Sequence, residues 1–364
     1  MRDTIRHVLQ TLMDAGYEAY VVGGYVRDAL LGRETGDGDV ATNATPDEVE
    51  ALFDKVVTTG KVHGTITVIV KTEPIEVTTY RVDGAYGNHR HPQQVTYSSS
   101  LAEDLARRDF TINAMAMALD GTLTDLYGGQ ADLHQNMLRA IGDPNVRLQE
   151  DALRILRALR FQSVLGFELD PSLHQAMIDH AGLVTHLSNE RVMAELRKML
   201  QGDHLSLAVT SYQRLSLPHL PSTLVVDATL SLVEQFAIAR HRDGLEVMAF
   251  PWTKEEKVLL QHLVTLDPSR PSDLALYDMH DTKAMIRVGA VLYQWPREEW
   301  LHRYESLPIH RRSDLAINGH DVMDLGHVGS AVDHVLRQVE VAVLSQEVRN
   351  EHAAIVTWLK EKNP

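Results

Sequence analysis

Residues 21–42 read VVGGYVRDALLGRETGDGDVAT, and the reading of this stretch decides the fold. It parses as a short apolar strand, a glycine turn at Gly23-Gly24, one amphipathic helix, a loop, and two aspartates, Asp37 and Asp39, with Gly38 between them. N–H groups at the opening of a helix lack intrahelical acceptors and sit at its positive end, so a glycine turn there suits an anion. Arg27 falls in the same first turn and can reach that anion. On a strand, residues i and i+2 project to one side. Asp37 and Asp39 held side by side either share a proton or hold a divalent cation. A phosphate cradle beside a dicarboxylate metal site is what phosphoryl or nucleotidyl transfer needs.

The rest of the chain has to supply a partner for that chemistry. Its 364 residues suffice for two or three domains with a sizeable core. Hydrophobic and charged contents of 44% and 23% are those of an ordinary globular protein. No run approaches the roughly 20 apolar residues of a membrane span, so no membrane partner is expected. The first residues, MRDTIRHVLQTLMDAG, read as an amphipathic helix and not as a signal peptide. The absence of cysteine excludes disulfides and thiol metal sites, and a cytoplasmic address is expected. A net charge of −15 argues against a general nucleic-acid coat, but leaves room for an enzyme with a locally basic RNA track.

Up to about residue 130 the pattern alternates helix and strand. Thr45-Pro46-Asp47-Glu48 is a helix start, with a Thr cap, proline at the first position and Glu three residues after the cap. Segments 55–59, 65–71 and 75–80 are rich in β-branched residues and read as strands. Residues 83–92, DGAYGNHRHP, read as a mobile polar loop. From about Leu138 helical spacing takes over, with helices expected over 149–161, 171–181, 188–201, 228–240, 254–264, 283–293, 329–344 and 347–361. The expectation is an α+β head with a mixed sheet, followed by an all-α neck, body and tail, with bounds 1–137, 138–200, 201–270 and 271–364.

Three further constellations carry chemistry. Glu76, in IEVTTYR, shares a strand side with Thr78 and Tyr80, and can add a third carboxylate near Asp37 and Asp39. An exposed strand glutamate explains it equally well. Arg107-Arg108-Asp109 precedes Asn113 and a small-residue apolar run; alone, such a triplet reads as a surface ion-pair cluster. In QEDALRILRALRF, Asp151, Arg154, Arg157 and Arg160 recur every three residues along one helical stripe. They read either as a solvated charged face or as a base reader, since aspartate accepts from an exocyclic amine and arginine donates to ring nitrogen or carbonyl. His89 and His91 lack carboxylates at ligand spacing, and Trp295 and Trp300 read as packing residues.

In order, GGYVRDALLG with DGD, RRDFTINA, DLYGGQADL and EDALRILRALRF resemble the class II tRNA nucleotidyltransferases (CCA-adding enzymes) and the similar bacterial poly(A) polymerases. The resemblance covers roughly residues 1–200, and continues more weakly through SNERVMAELRKML and LAINGHDVMDLG. It implies a polymerase-beta-like nucleotidyltransferase head, and template-independent addition of CCA to tRNA from CTP and ATP with release of pyrophosphate. It implies that Asp37 and Asp39 bind two Mg2+ ions. Gly24, Arg27 and Arg108 would meet the nucleotide, Asp151 and Arg154 would take the place of a template base, and Arg157 and Arg160 would complete the pocket. The tRNA acceptor arm and 3′ end would lie on the helical portion, where Arg191, Arg197, Lys198, Arg311 and Arg312 read first as plain surface charges and otherwise as phosphate contacts, and a second copy of the chain is a candidate partner. Tyr25 departs from the family pattern, where a small or basic residue is usual, and the acidic balance is unusual for a tRNA binder. Alternatives within the family are poly(A) addition or a partial A-adding or CC-adding enzyme. Outside it stand an inactive RNA-binding protein and a small-molecule nucleotidyltransferase.

Overall fold

The computed structural model describes residues 1–36, 38–83, 95–269 and 271–362. Asp37 and most of the expected loop at 83–92, including His89 and His91, lie outside the described residues. The chain forms two compact units, Met1–Ala228 and Thr229–Pro364.

The first unit begins with α1 (Asp3–Asp14), whose Ile5, Val8, Leu9 and Leu12 face inward at the spacing of one helical side. There follow β1 (Ala19–Val22), α2 (Gly24–Leu30), β2 (Asp39–Thr42), α3 (Pro46–Leu52), β3 (Val56–Val57), β4 (Thr65–Val70) and β5 (Glu73–Thr79). Then come β6 (Arg81–Asp83), β7 (Val95–Tyr97), α4 (Leu101–Ala106), β8 (Met115–Met117), β9 (Leu123–Asp125) and α5 (Gly129–His134). A mixed sheet runs in the order β3-β4-β5-β2-β1-β8-β9, with only the β2–β5 pair parallel. The expected start of α3 is present in full: Thr45 and Glu48 cap each other reciprocally.

Alternation along β5 buries Ile75, Val77 and Thr79, and turns Glu76 outward. Tyr80 departs from the expected pattern. The strand ends at Thr79, and Tyr80 is fully buried in a cluster with Val22, Ala41, Leu105 and Ala116, so it does not share a side with Glu76.

After β10 (Met137–Leu138) the unit continues as α6 (Pro144–Glu150), α7 (Leu153–Leu165), β11 (Glu168–Leu169), α8 (Pro171–Asp179), α9 (Asn189–Leu200) and α10 (Leu205–Leu215). The helix expected over 149–161 is in fact two. Asp151 has an extended backbone, φ −146° and ψ 103°, and its carboxylate accepts from the Leu153 N–H at 3.0 Å. An aspartate side chain that captures a following N–H competes with helix continuation, so it ends one helix and starts the next. Asp151 therefore sits in the break, and the arginines alone share α7. The helix over 205–215 was not anticipated.

The second unit is helical: α11 (Leu232–Asp243), α12 (Lys254–Val264), α13 (Asp273–Asp278), α14 (Thr282–Tyr293), α15 (Arg297–Glu305), α16 (Gly319–Asp324), α17 (Ser330–Leu344) and α18 (His352–Lys362). Ser231 with Glu234 and Thr253 with Glu256 form capping boxes at the starts of α11 and α12. Trp295 and Trp300 are buried, as expected of packing residues. Arg312 and Arg337 both pair with the buried carboxylate of Glu340, tying α17 to the segment before α16. Among the described residues no helix is long and apolar enough to cross a membrane.

Candidate nucleotide-transfer site

Three segments of the sheet bring the first carboxylates together. Asp39 is the first residue of β2, and lies opposite Val22 on one side and Glu76 on the other. The register thus makes Asp39 and Glu76 neighbours on adjacent strands. Gly23 closes the turn before α2 with φ 70° and ψ −135°, a conformation that needs glycine. A Cβ there would also stand 3.1 Å from Arg108 Nη1 and 3.6 Å from Asp39 Oδ2. The backbone of Gly23 therefore lies directly beneath an aspartate and an arginine that converge over it.

Gly38 is required for another reason. A Cβ on it would fall 2.3 Å from Cδ1 of the fully buried Ile5. The glycine between the two aspartates thus lets α1 press against the chain where it enters β2.

These groups open into a cavity of about 840 Å³ within the first unit. Every residue expected from the sequence to serve catalysis or bind the nucleotide, except Asp37, lines it: Gly24, Arg27, Asp39, Glu76, Arg108, Asp151, Arg154, Arg157 and Arg160. Among the described residues its walls carry eight arginines (the five above with Arg81, Arg107 and Arg191) against four carboxylates, Asp39, Glu76, Asp109 and Asp151. A chain of net charge −15 therefore concentrates positive charge in one cleft. A low-dielectric cleft lined by positive charge attracts anions. Because α2 has only seven residues, the guanidinium groups and not a helix dipole carry that attraction.

The arginines are held by a buried polar network. Arg27 donates to both oxygens of Asp28, at 2.9 and 3.0 Å, and through Nη1 to Asn113 Oδ1 at 2.8 Å. Asn113 donates in turn to Asp109 Oδ1 at 3.0 Å, and Asp109 Oδ2 accepts from Arg157 Nε at 2.7 Å. Glu195 of α9 takes Arg160 Nε at 2.6 Å, and lies 3.7 Å from Arg157. Burial pushes the Asp109 carboxyl up, but the Arg157 charge and the hydrogen bonds from Asn113, Arg157 and the Phe110 N–H outweigh it, leaving it at about 2. Arg107 and Arg108 similarly overcome burial at Asp104 and hold it below the usual carboxylate range.

Phe161 lies under this network. The guanidiniums of Arg27, Arg157 and Arg160 stand 5.2, 5.6 and 4.0 Å from its ring centroid, within cation–π range. Its other neighbour, Phe110, meets it edge-on at 5.7 Å.

The two ends of the expected base reader are held differently. Asp151 Oδ2 accepts from Arg191 Nη2 at 2.7 Å, on a partly exposed wall. Arg154 is buried and makes three hydrogen bonds, to the Arg147 and Arg107 carbonyls and to Glu150. Arg108 keeps a buried Nε with no hydrogen-bond partner, while its Nη1 is the atom that approaches Gly23.

Sequence reasoning passed over Glu195 and Phe161, because Glu195 reaches Arg160 across two helices and an apolar ring on a helix reads as plain core. Arg191, read from the sequence as a surface charge or else a phosphate contact, pairs with Asp151. Arg311 and Arg312 pair with Asp314 and with Glu340 and Asp333. Among the described residues, which exclude Asp37, no group of three or more His, Asp or Glu is placed to hold a metal ion.

Comparison with known proteins agrees with this geometry. The Poly A polymerase head domain family matches residues 19–139, and a tRNA nucleotidyltransferase domain 2 family matches residues 283–359. The CCA-adding enzyme of Bacillus subtilis (strain 168) is 37% identical, over 97% of this chain and 96% of its own. That of Geobacillus stearothermophilus is 35% identical over 98% and 96%. The crystal structure of the Bacillus stearothermophilus CCA-adding enzyme in complex with CTP superposes with a TM-score of 0.79 at 34% identity, covering 100% of this chain and 98% of that one. A Thermotoga maritima CCA-adding enzyme complexed with tRNA_CCA, 19% identical, shares the fold with a TM-score of 0.68 over 99% and 95% of the two chains. With sequence identity above a third extending over nearly its whole length, and with the nucleotidyltransferase head and arginine-lined cleft in place, this chain belongs to the CCA-adding enzyme family.

Proposed function

We propose that this protein builds and repairs the 3′-terminal CCA of tRNA from CTP and ATP without a nucleic-acid template, releasing pyrophosphate. The observation that carries the reading is the single cleft in which Asp39 and Glu76, in register on adjacent strands, face a wall of arginines that also contains Asp151. The relative solved with CTP supports a nucleoside triphosphate as the occupant.

In this reading the triphosphate lies against Gly24, Arg27 and Arg108. Asp151 accepts from the exocyclic amine that cytosine and adenine share and uracil lacks. Arg154 contributes to the same edge with its remaining donors, and Arg157 and Arg160 complete the pocket. The tRNA 3′-hydroxyl then attacks the α-phosphate in line, and positioning with charge stabilisation supplies most of the acceleration. Asp39 and Glu76 are hard oxygen donors, which suits Mg2+, an ion that takes one or two carboxylates and completes its shell with phosphate and water. Asp39, with Asp37 and Glu76, would hold it, and Mg2+ when bound lowers the hydroxyl pKa and stabilises charge on the leaving oxygens.

Residues 1–137 are proposed as the catalytic head, 138–200 as the neck, and 201–270 and 271–364 as body and tail carrying the tRNA, in the cytoplasm. The test is incorporation of labelled CTP into tRNA lacking its CCA end. Asp39→Ala is expected to abolish incorporation, and Asp151→Ala to retain it with relaxed base choice. Full incorporation by Asp39→Ala sinks the assignment.

A further inference from the structure

We infer that Arg2 is a positioning residue for the carboxylate end of the cleft, tying together the three segments that supply it. The inference rests on the reading of Asp39 and Glu76 as cation ligands. Arg2 precedes α1 and reaches each of those segments. Its Nη2 donates to the Gly36 carbonyl at 2.9 Å, in the loop that leads into β2 and Asp39. Its backbone N–H donates to the hydroxyl of Tyr25 at 3.1 Å, on α2 directly after Gly24. Its guanidinium lies over the Tyr25 ring, 5.9 Å from the centroid. Its Nη1 stands 3.6 Å from Glu73, the first residue of the strand that carries Glu76, and Thr4 donates to the same Glu73 oxygen at 2.6 Å.

These contacts converge on one short stretch. Arg2 holds Gly36, Ile5 fills the space a side chain at Gly38 would need, and Arg2 Nη2 lies 3.4 Å from that same point. The beginning of α1 thus grips the backbone on either side of position 37, and anchors it to β5 and α2. Tyr25, the residue that departs from the family pattern, is one of the anchors, which gives the departure a physical role. A group that orients metal ligands acts on affinity more than on the fold, and loss of such support costs about tenfold or more in metal binding.

The test titrates Mn2+ into the full-length protein with CTP present, following free Mn2+ by electron paramagnetic resonance, beside the thermal midpoint. Arg2→Gln is expected to weaken Mn2+ binding about tenfold, with the midpoint within a few degrees of the parent, and Arg2→Lys to restore most of the loss. Tyr25→Phe, which removes only the acceptor of the Arg2 N–H, is expected to weaken binding in the same direction, and decides the matter if Arg2→Gln does not fold. Parent-like binding in Arg2→Gln or, failing that variant, in Tyr25→Phe, alongside lost binding in Asp39→Ala, overturns the role of Arg2 and leaves the cation reading standing. Parent-like binding in Asp39→Ala overturns the cation reading itself.

Discussion

Replacing Asp109 by asparagine changes one charge at the centre of the network and almost nothing in volume. In the parent, Asp109 Oδ2 accepts from Arg157 while Oδ1 accepts from the Phe110 N–H at 2.8 Å and from Asn113 at 3.0 Å. Lowering its pKa from 3.8 to about 2 corresponds to about 2 kcal/mol of stability near neutral pH. The introduced amide would also turn its N–H₂ or a weaker oxygen toward Arg157, which is partly exposed and keeps Glu195 at 3.7 Å, so the cost lies at the low end of the about 3–5 kcal/mol of breaking a buried pair. The two figures describe the same interaction and are not summed. A loss of about 3 kcal/mol is expected, or about 6–12 °C in the melting of a unit this size.

Urea unfolding followed by far-ultraviolet circular dichroism reads both units. All four tryptophans, at 252, 295, 300 and 358, lie in the second unit, so their fluorescence reports the unit that does not contain the substitution. The sign with pH follows from the depressed pKa. The Asp109 contribution is fully present above pH 4, and is lost as pH falls through about 2. The gap between parent and Asp109→Asn should therefore be constant from pH 5 to 8 and narrow on acidification below pH 4. A gap under about 0.5 kcal/mol at pH 7, or one that widens in acid, refutes the network as described.

Other perturbations test other parts of the cleft. Gly38→Ala forces a methyl into Ile5, and should cost about 1–3 kcal/mol; combining it with Ile5→Val should cost less than the sum of the two single changes, as read by denaturant midpoints. Phe161→Leu keeps an apolar side chain but removes the ring beneath Arg27, Arg157 and Arg160. It should raise KM for CTP and ATP about tenfold, with a smaller effect on kcat. Arg191→Ala frees the Asp151 carboxylate from its partner, and should lower the preference for CTP over UTP in kcat/KM by about tenfold. An unchanged preference would show that Arg191 does not act through Asp151.

Much of this was legible in the sequence, and what was not has physical causes. The glycine turn, the aspartate at 39 and the capping box at Thr45 are local devices, whose chemistry lies within a few residues of their own position. Glu76 read equally well as an idle strand residue until the register set it beside Asp39, because strand pairing is non-local. The stripe from Asp151 to Arg160 was legible as spacing but not as shape. A helix interrupted by an aspartate that caps its successor has the same periodicity as an uninterrupted one. Arg191 and Glu195 act on side chains brought to them by packing of α9 against α7 and the break before it, Phe161 meets Arg27 only because the head packs on α7, and no motif announces them. The acidic balance had weighed against an RNA partner; segregation of arginine into one cleft removes the conflict, and composition alone cannot reveal segregation.

The most direct test of the proposed activity is the length of the product made on tRNA lacking its last three nucleotides, supplied with CTP and ATP together and separately. Resolved at single-nucleotide length, addition of C, C and A followed by arrest with both nucleotides, and of two C residues with CTP alone, is the predicted result. A long A tract, or no extension at all, would contradict it.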